Sequence, residues 1–209
     1  INNSLRTRAS ASAYLTRTPA SNGSSTTFTI SMWFKRSTLN TSQALIQTAY
    51  DAAQVNSTGL YFAGDVMGFN TVKNAGATTT FQLTTTQVFR DPSAWYHVVA
   101  VCDTTNATST DRVRLYINGS RVTAFSTATY PTQNATTYFN TTVAHDIGCI
   151  PYSAGNIQFF DGYLAEINVI DGQALTPSSF GATDPITGVW SPAKYTGTYG
   201  TNGFYLQFS

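Results

Sequence analysis

Apolar and polar residues alternate along TTFTISMWFKR. Phe28, Ile30, Met32 and Phe34 fall on one face, and Thr27, Thr29, Ser31, Trp33 and Lys35 on the other, the period of two that a half-buried strand imposes. Shorter strand patterns follow at ALIQTAY (44–50), GLYFAG (59–64), VMGFNTV (66–72) and TTFQL (79–83), separated by clusters of Asn, Gly, Asp and Thr that punctuate strands. WYHVVAVCD (95–103) is apolar on both faces, with His97, Val99 and Val101 on one and Tyr96, Val98, Ala100 and Cys102 on the other, as in a central sandwich strand. In RVRLYINGSRV (112–122), Asn118-Gly119 predicts a type I′ hairpin turn, because both central residues of that turn need positive φ. Val113, Leu115 and Ile117 then point inward, and Arg112, Arg114 and Tyr116 outward.

A loop, STATYPTQNATTYFNTT (126–142), precedes HDIGCI (145–150) and FDGYLAEINVIDG (160–172), both read as strands. In the second, strict alternation gives Tyr163, Ala165, Ile167 and Val169 as the apolar face. It puts Glu166 opposite, beside Leu164, Asn168 and Ile170, as a partly buried strand carboxylate held by hydrogen bonds or an arginine. ALTPSSFG (174–181) is read as a short helix stopped by Gly181. ASAYLTR (11–17) and residues 204–208 read as terminal strands. About ten short strands without helical crossovers predict an all-β antiparallel double sheet.

Composition agrees. The chain of 209 residues has 10% charged residues, a single Glu and three Lys, too few strong helix formers for long helices, whereas Thr, Val, Ile, Tyr and Phe suit a pleated surface. Residues 1–209 read as one domain. The net charge of +1 shows no basic stripe. The densest cluster, Arg6, Arg8 and Arg17, lacks interleaved aromatics and reads as a solvated arm, so nucleic acid is not an expected partner. No window has the ~18 apolar residues of a membrane span, and INNSLRTRASASAY lacks the apolar core of a secretory signal. Cys102 and Cys149 permit one disulfide, but Cys102 also reads as a small buried hydrophobe. His97 and His145 lie far apart within strand patterns, without zinc spacing.

FTISMWFKR, then WYHVVAVCDTT followed by RVRLYINGSRV, then DGYLAEINVIDGQALTPSSFG resemble, in this order, the strands of laminin G-like, concanavalin A-like domains. The resemblance covers nearly the whole chain and implies a two-sheet jelly-roll sandwich. NSLRTRASASAYLTRTPAS (3–21) and DPITGVWSPAKYTGTYGTNGFYLQFS (184–209) are similar to laminin G-like virion proteins of bacteriophages. That similarity implies a non-enzymatic structural or adhesive subunit of an extracellular assembly, such as a tail fibre, decoration protein or homopolymeric surface filament. Segments 1–17 and 185–209 would then contact neighbouring copies, by strand donation or, as termini commonly do, by closing their own sandwich. The alternative is a lectin-like module that recognises a cell-surface or matrix glycan, since the same jelly roll hosts many functions.

The chemistry narrows these readings. Glucanases of the resembled superfamily carry Glu-x-Asp-x-x-Glu, which a chain with one glutamate cannot contain. Asp161 and Glu166 would lie ~16 Å apart along a strand, beyond the ~5–9.5 Å of a glycosidase pair. No Gly-x-Ser-x-Gly elbow supports a catalytic serine. The expectation is therefore no enzyme and no obligatory cofactor. Calcium is implied by the resemblance alone, with Asp51, Asp65, Asp103 and Asp146 as candidate ligands, though aspartates also form turns. For carbohydrate, the candidate platforms are Trp33, Trp190 and Tyr195, which equally suit covering the second face of a sheet. Eight of the fourteen asparagines stand in Asn-x-Ser/Thr sequons, which turns rich in Asn, Ser and Thr also generate.

Overall fold

The computed structural model describes residues 1, 3–48, 56–73, 78–152 and 154–208. Numbered in chain order, one seven-stranded antiparallel sheet, sheet A, contains β1 (Leu5–Thr7), β3 (Thr27–Arg36), β8 (Tyr96–Asp103), β9 (Val113–Ile117), β10 (Ser120–Arg121), β13 (Gly162–Asp171) and β16 (Phe204–Leu206). The second, sheet B, runs β11 (Phe125–Thr129), β7 (Thr78–Val88), β6 (Val66–Lys73), β5 (Ser57–Ala63), β4 (Gln43–Thr48), β12 (His145–Ile147) and β2 (Leu15–Arg17). A hairpin of β14 (Gly181–Thr183) and β15 (Trp190–Pro192) stands apart. This is the expected jelly-roll sandwich.

The alternation in β3 places Phe28, Ile30, Met32 and Phe34 between the sheets, fully buried. They meet Leu60, Phe62, Phe69, Phe81 and Leu83 of sheet B. Phe34 packs at 5.3 Å from Phe62, 5.8 Å from Phe89 and 5.4 Å from Tyr96, distances at which aromatic rings attract beyond simple area burial. The hairpin turn forms as expected, with φ of 47° at Asn118 and 82° at Gly119. Cys102 and Cys149 are both buried free thiols, and burial pushes both above the ordinary thiol range.

Three sequence expectations change. First, β13 carries a bulge between Ala165 and Asn168, with Glu166 at φ 49°. The extra residue resets the alternation, so Leu164, Ile167 and Val169 face the core while Tyr163 pairs beside Lys35 and Ala165 beside Trp33 on the other face. The bulge falls where pairing along one edge of β13 passes from β1, opposite residues 162–164, to β16, opposite 167–169. Second, ALTPSSFG forms one 3-10 turn, Pro177–Ser179, followed by β14. Third, Arg6 and Arg17 are pinned. Arg6 pairs with Asp161 at 2.8 Å and lies over Tyr163, and Arg17 lies over Phe204. Residues 49–50 of the ALIQTAY pattern lie outside the described residues. Both terminal segments pair within their own sandwich.

The outer faces of the sheets differ. Residues 173–203 cross sheet A, where Phe180 with Ala174, Leu175, Tyr195 and Tyr199 packs on Val99, Val101 and Ile170. Asp171 fastens this layer, its carboxylate accepting from the backbone N–H groups of Ser24 and Asn202 and from the Asn140 amide. The middle of sheet A, around Val99, Val101 and Ile170, is thus buried on both sides. The far face of sheet B carries Tyr61, Asn70, Gln82 and Thr84, all partly exposed.

At one end of the core, the fully buried Arg36 guanidinium lies 4.3 Å above Phe62 and donates to Asp65 at 3.0 Å and to the carbonyls of Phe89 and Gly64. Removing one partner strands the other charge in a low-dielectric interior. Asp65→Ala is expected to cost about 3–5 kcal/mol, measured by urea unfolding, whereas Arg121→Ala, which breaks an exposed pair with Asp111, should cost less than about 1 kcal/mol.

Candidate functional site

The aromatics singled out for carbohydrate are gathered under the third layer. Trp33 is 5% exposed, with its ring stacked on His97 at 4.9 Å and 15°. Trp190 stacks on the same imidazole at 6.0 Å and donates from Nε1 to His97 Nδ1 at 2.9 Å. Its indole is wedged between two glycines, since a Cβ would stand 2.9 Å from it at Gly119 and 2.4 Å at Gly181. Tyr195 packs on Phe180 at 5.3 Å and donates to the Thr198 carbonyl. Trp33 and Trp190 therefore clamp a histidine, and Tyr195 closes the covering layer. None of the three stands free as a platform.

His97 also approaches Ser31 Oγ at 2.8 Å through Nε2. The Trp190 N–H occupies Nδ1 as a donor, so Nδ1 must be the bare nitrogen and Nε2 must carry the proton. Nε2 then donates to Ser31 and cannot take its proton, the reverse of what a nucleophilic serine requires. Both side chains are fully buried.

Glu166 sits half-buried at the bulge and accepts a 2.5 Å hydrogen bond from Tyr205. Burial and this carboxylate push the Tyr205 hydroxyl well above the ordinary range. A shallow cavity of about 350 Å³ adjoins it, with Lys194, Gln207 and Ile1 at its rim. The carboxylates of β13 do not form a pair. Asp161 is held by Arg6 and Thr38, and Asp171 is saturated by the donors named above.

The calcium candidates among the described residues stand apart from one another. Both oxygens of Asp65 are held, by Arg36, Arg90 and the Asn40 N–H. Asp103 accepts from Thr105 within a turn. Asp146 is 2% exposed and accepts from Cys149 and Asn156. Asp51 lies outside the described residues. Among the described residues no group of three or more His, Cys, Asp or Glu is placed to hold a metal.

What remains open is sheet B. A row of directly paired residues crosses all seven strands: Thr16, Asp146, Gln47, Gly59, Asn70, Gln82 and Thr129. Directly opposed residues share a face. Residues 148–152 and 154–160 cover the Asp146 end, with Ala44 N–H donating to the Gln158 carbonyl, and leave a shallow cavity of about 190 Å³ lined by Gln47, Tyr61, Asn70, Val72, Ile150 and Gln158. Tyr61 lies flat because its neighbour across the ladder is Gly68, where a Cβ would stand 2.4 Å from Tyr61 Cζ. The Asn70 amide donates to the Tyr61 hydroxyl at 3.3 Å. Gln47 lies over Gly59 in the same way and donates to Ser57. Tyr61, Asn70 and Gln82 were not singled out from the sequence. The signal for them was the pair Gly59 and Gly68 inside otherwise apolar strands, because an internal strand glycine marks close approach by another group.

A two-sheet sandwich, with a third layer over sheet A and sheet B covered only towards its Asp146 end, is a jelly-roll architecture. The sequence matches the family model of the concanavalin A-like lectin/glucanases superfamily, laminin G-like branch, over residues 9–179, and the chain belongs to that family. No curated protein matches the sequence. Among solved structures, the CBM40 module of the Ruminococcus gnavus IT-sialidase, bound to α2,3-sialyllactose, is 14% identical, with a TM-score of 0.56 over 78% of this chain and 94% of that one. The heptameric SAP-like pentraxin of Limulus polyphemus is 16% identical, with a TM-score of 0.52 over 78% and 71%. Domains LG4-5 of the mouse laminin α1 chain are 14% identical, with a TM-score of 0.53 over 92% of this chain and 44% of that one. At these identities the likeness is one of fold.

The histidines set an acid limit on the scaffold. Burial pushes His97 down to about 3 and His145 down to about 4. Both fall below the ordinary imidazole value, so the unfolded chain binds protons first as the pH drops. Stability from this source is full above pH ~6.5 and declines towards pH 4, by up to ~1.4 kcal/mol per pH unit for each histidine. Urea unfolding at a series of pH values should show this slope. His97→Gln, which keeps an acceptor for Trp190 and a donor for Ser31, should make it shallower.

Proposed function

We propose that the protein is a non-catalytic carbohydrate-binding module whose ligand lies on the open face of sheet B around Tyr61. The observation that carries this reading is the Tyr61 ring held flat over Gly68, with the amides of Asn70, Gln82 and Gln158 around it. A flat ring offers an apolar surface to the C–H face of a sugar, and amides both donate to and accept from hydroxyls. The fold likeness adds support, since similar structures include a module bound to sialyllactose and a domain of an extracellular Geobacillus stearothermophilus arabinanase in complex with arabinotriose, 20% identical with a TM-score of 0.50 over 74% of this chain and 65% of that one. On a glycan array, Gly68→Val, which lifts the ring, and Tyr61→Ala should each weaken binding about tenfold or more, ~1.4 kcal/mol. Unchanged binding by both variants would remove Tyr61 from the site.

A second reading, an adhesive subunit of an extracellular assembly such as a virion fibre, decoration protein or surface filament, is favoured by the turn at 184–189. Asp184 accepts from the N–H groups of Ile186 and Thr187, and this rigid turn presents Ile186 at 92% and Val189 at 56% exposure. Exposed apolar side chains on an ordered turn suit contact with a neighbouring copy. If so, Ile186→Asp should dissociate oligomers seen by light scattering without lowering the melting temperature. A monomer at all concentrations for the unaltered chain would count against self-association.

A further inference from the structure

Resting on the carbohydrate reading, we infer that the ligand of this face is a neutral oligosaccharide and that acidic glycans are excluded. β4, β5, β7 and β11 contain no Lys, Arg, Asp or Glu, and neither do the covering residues 148–152 and 154–160; β2 contributes Arg17, which follows Thr16 of the polar row, so points to the opposite face, and lies over Phe204. β6 contributes one, Lys73, which follows the cavity-lining Val72 and so points to the opposite face, with its Nζ 5.8 Å from the Tyr138 ring centroid. Asp146 belongs to the polar row but is 2% exposed beneath Cys149 and Asn156. The connecting sequences 49–55 and 74–77 contain no cationic residue. The arginines Arg112, Arg114 and Arg121 belong to or flank β9 and β10 in the other sheet.

A carboxylate or sulfate brought onto such a face gives up water and meets no guanidinium or ammonium in return. That exchange is strongly unfavourable, because buried anions need charged, hydrogen-bonded partners. Hydroxyl groups meet no such penalty. Asn70, Gln82 and Thr129 on three successive strands, at ~4.8 Å spacing, offer them a row of paired donors and acceptors running away from Tyr61. The glycan would therefore lie across the strands, with one ring over Tyr61 and its neighbours along the amide row. This ligand class differs from the sialyllactose bound by the Ruminococcus gnavus module, despite the shared fold.

The test uses the full chain and matched pairs of probes: lactose against α2,3-sialyllactose, and arabinan and galactan against polygalacturonate and heparin. Titration calorimetry or an array is run at low and at high salt. The expected result is binding to at least one neutral probe, weaker by about tenfold or more for its acidic counterpart, with little dependence on salt. Gln82→Arg, a surface change that leaves the core untouched, should raise binding to the acidic probes and make it salt-sensitive. A preference for sialylated, carboxylated or sulfated probes that is lost in Tyr61→Ala overturns neutrality and leaves the carbohydrate reading standing. Binding to none of the probes overturns both. Neutral binding that ignores both Tyr61→Ala and Gln82→Arg overturns the placement on sheet B. Melting curves of the variants separate lost binding from lost fold, and Gln82→Arg carries the decision if Tyr61→Ala does not fold.

Discussion

The hydrogen bond from Trp190 Nε1 to His97 Nδ1 closes the covering layer over sheet A, and much else follows from it. It fixes the imidazole proton on Nε2, orients that proton at Ser31, and holds the ring between two indoles. A histidine in this setting stays neutral because ionising it would put a charge where no water reaches. Both nitrogens of the buried imidazole are thereby satisfied. With the middle of sheet A occupied on both sides, the outer face of sheet B is the less covered of the two.

That division explains which features were legible in the sequence. The alternation of β3, the apolar double face of β8 and the Asn118-Gly119 turn were readable because each is a local pattern with one physical meaning. The bulge at Glu166 was not readable, since strict alternation across Ala165 and Ile167 fits the letters of the chain equally well. Its cause lies in pairing at a distance, where β1 ends and β16 begins along the same edge. Of the three aromatics suspected of sugar binding, Trp33 is buried and Trp190 and Tyr195 are packed but partly exposed: indole and phenol rings serve exposed platforms and covering layers alike, and only the path of residues 173–203 places them.

The open face shows the opposite problem. Tyr61, Asn70 and Gln82 are unremarked letters in strands whose neighbours are more apolar, and glycines at 59 and 68 look like weaknesses in a sheet. Their use becomes visible once the ladder is known, because each glycine sits opposite a long side chain that must lie down. The same low charge that marks the whole composition recurs on this face, whose exposed polar groups around Tyr61 are amides and hydroxyls.

The meeting of β1 and β16 on one edge of β13 has a further meaning. Leu5 pairs with Leu164 and Leu206 with Ile167, so the chain returns almost to its starting point, and Ile1 and Gln207 border one cavity beside Glu166. Topologically the domain is close to a closed loop. Joining its ends by a short linker and opening it at a surface turn would leave every sheet intact. By the same geometry it could hang as a pendant from a single point of a longer polypeptide, entering and leaving without disturbing its host.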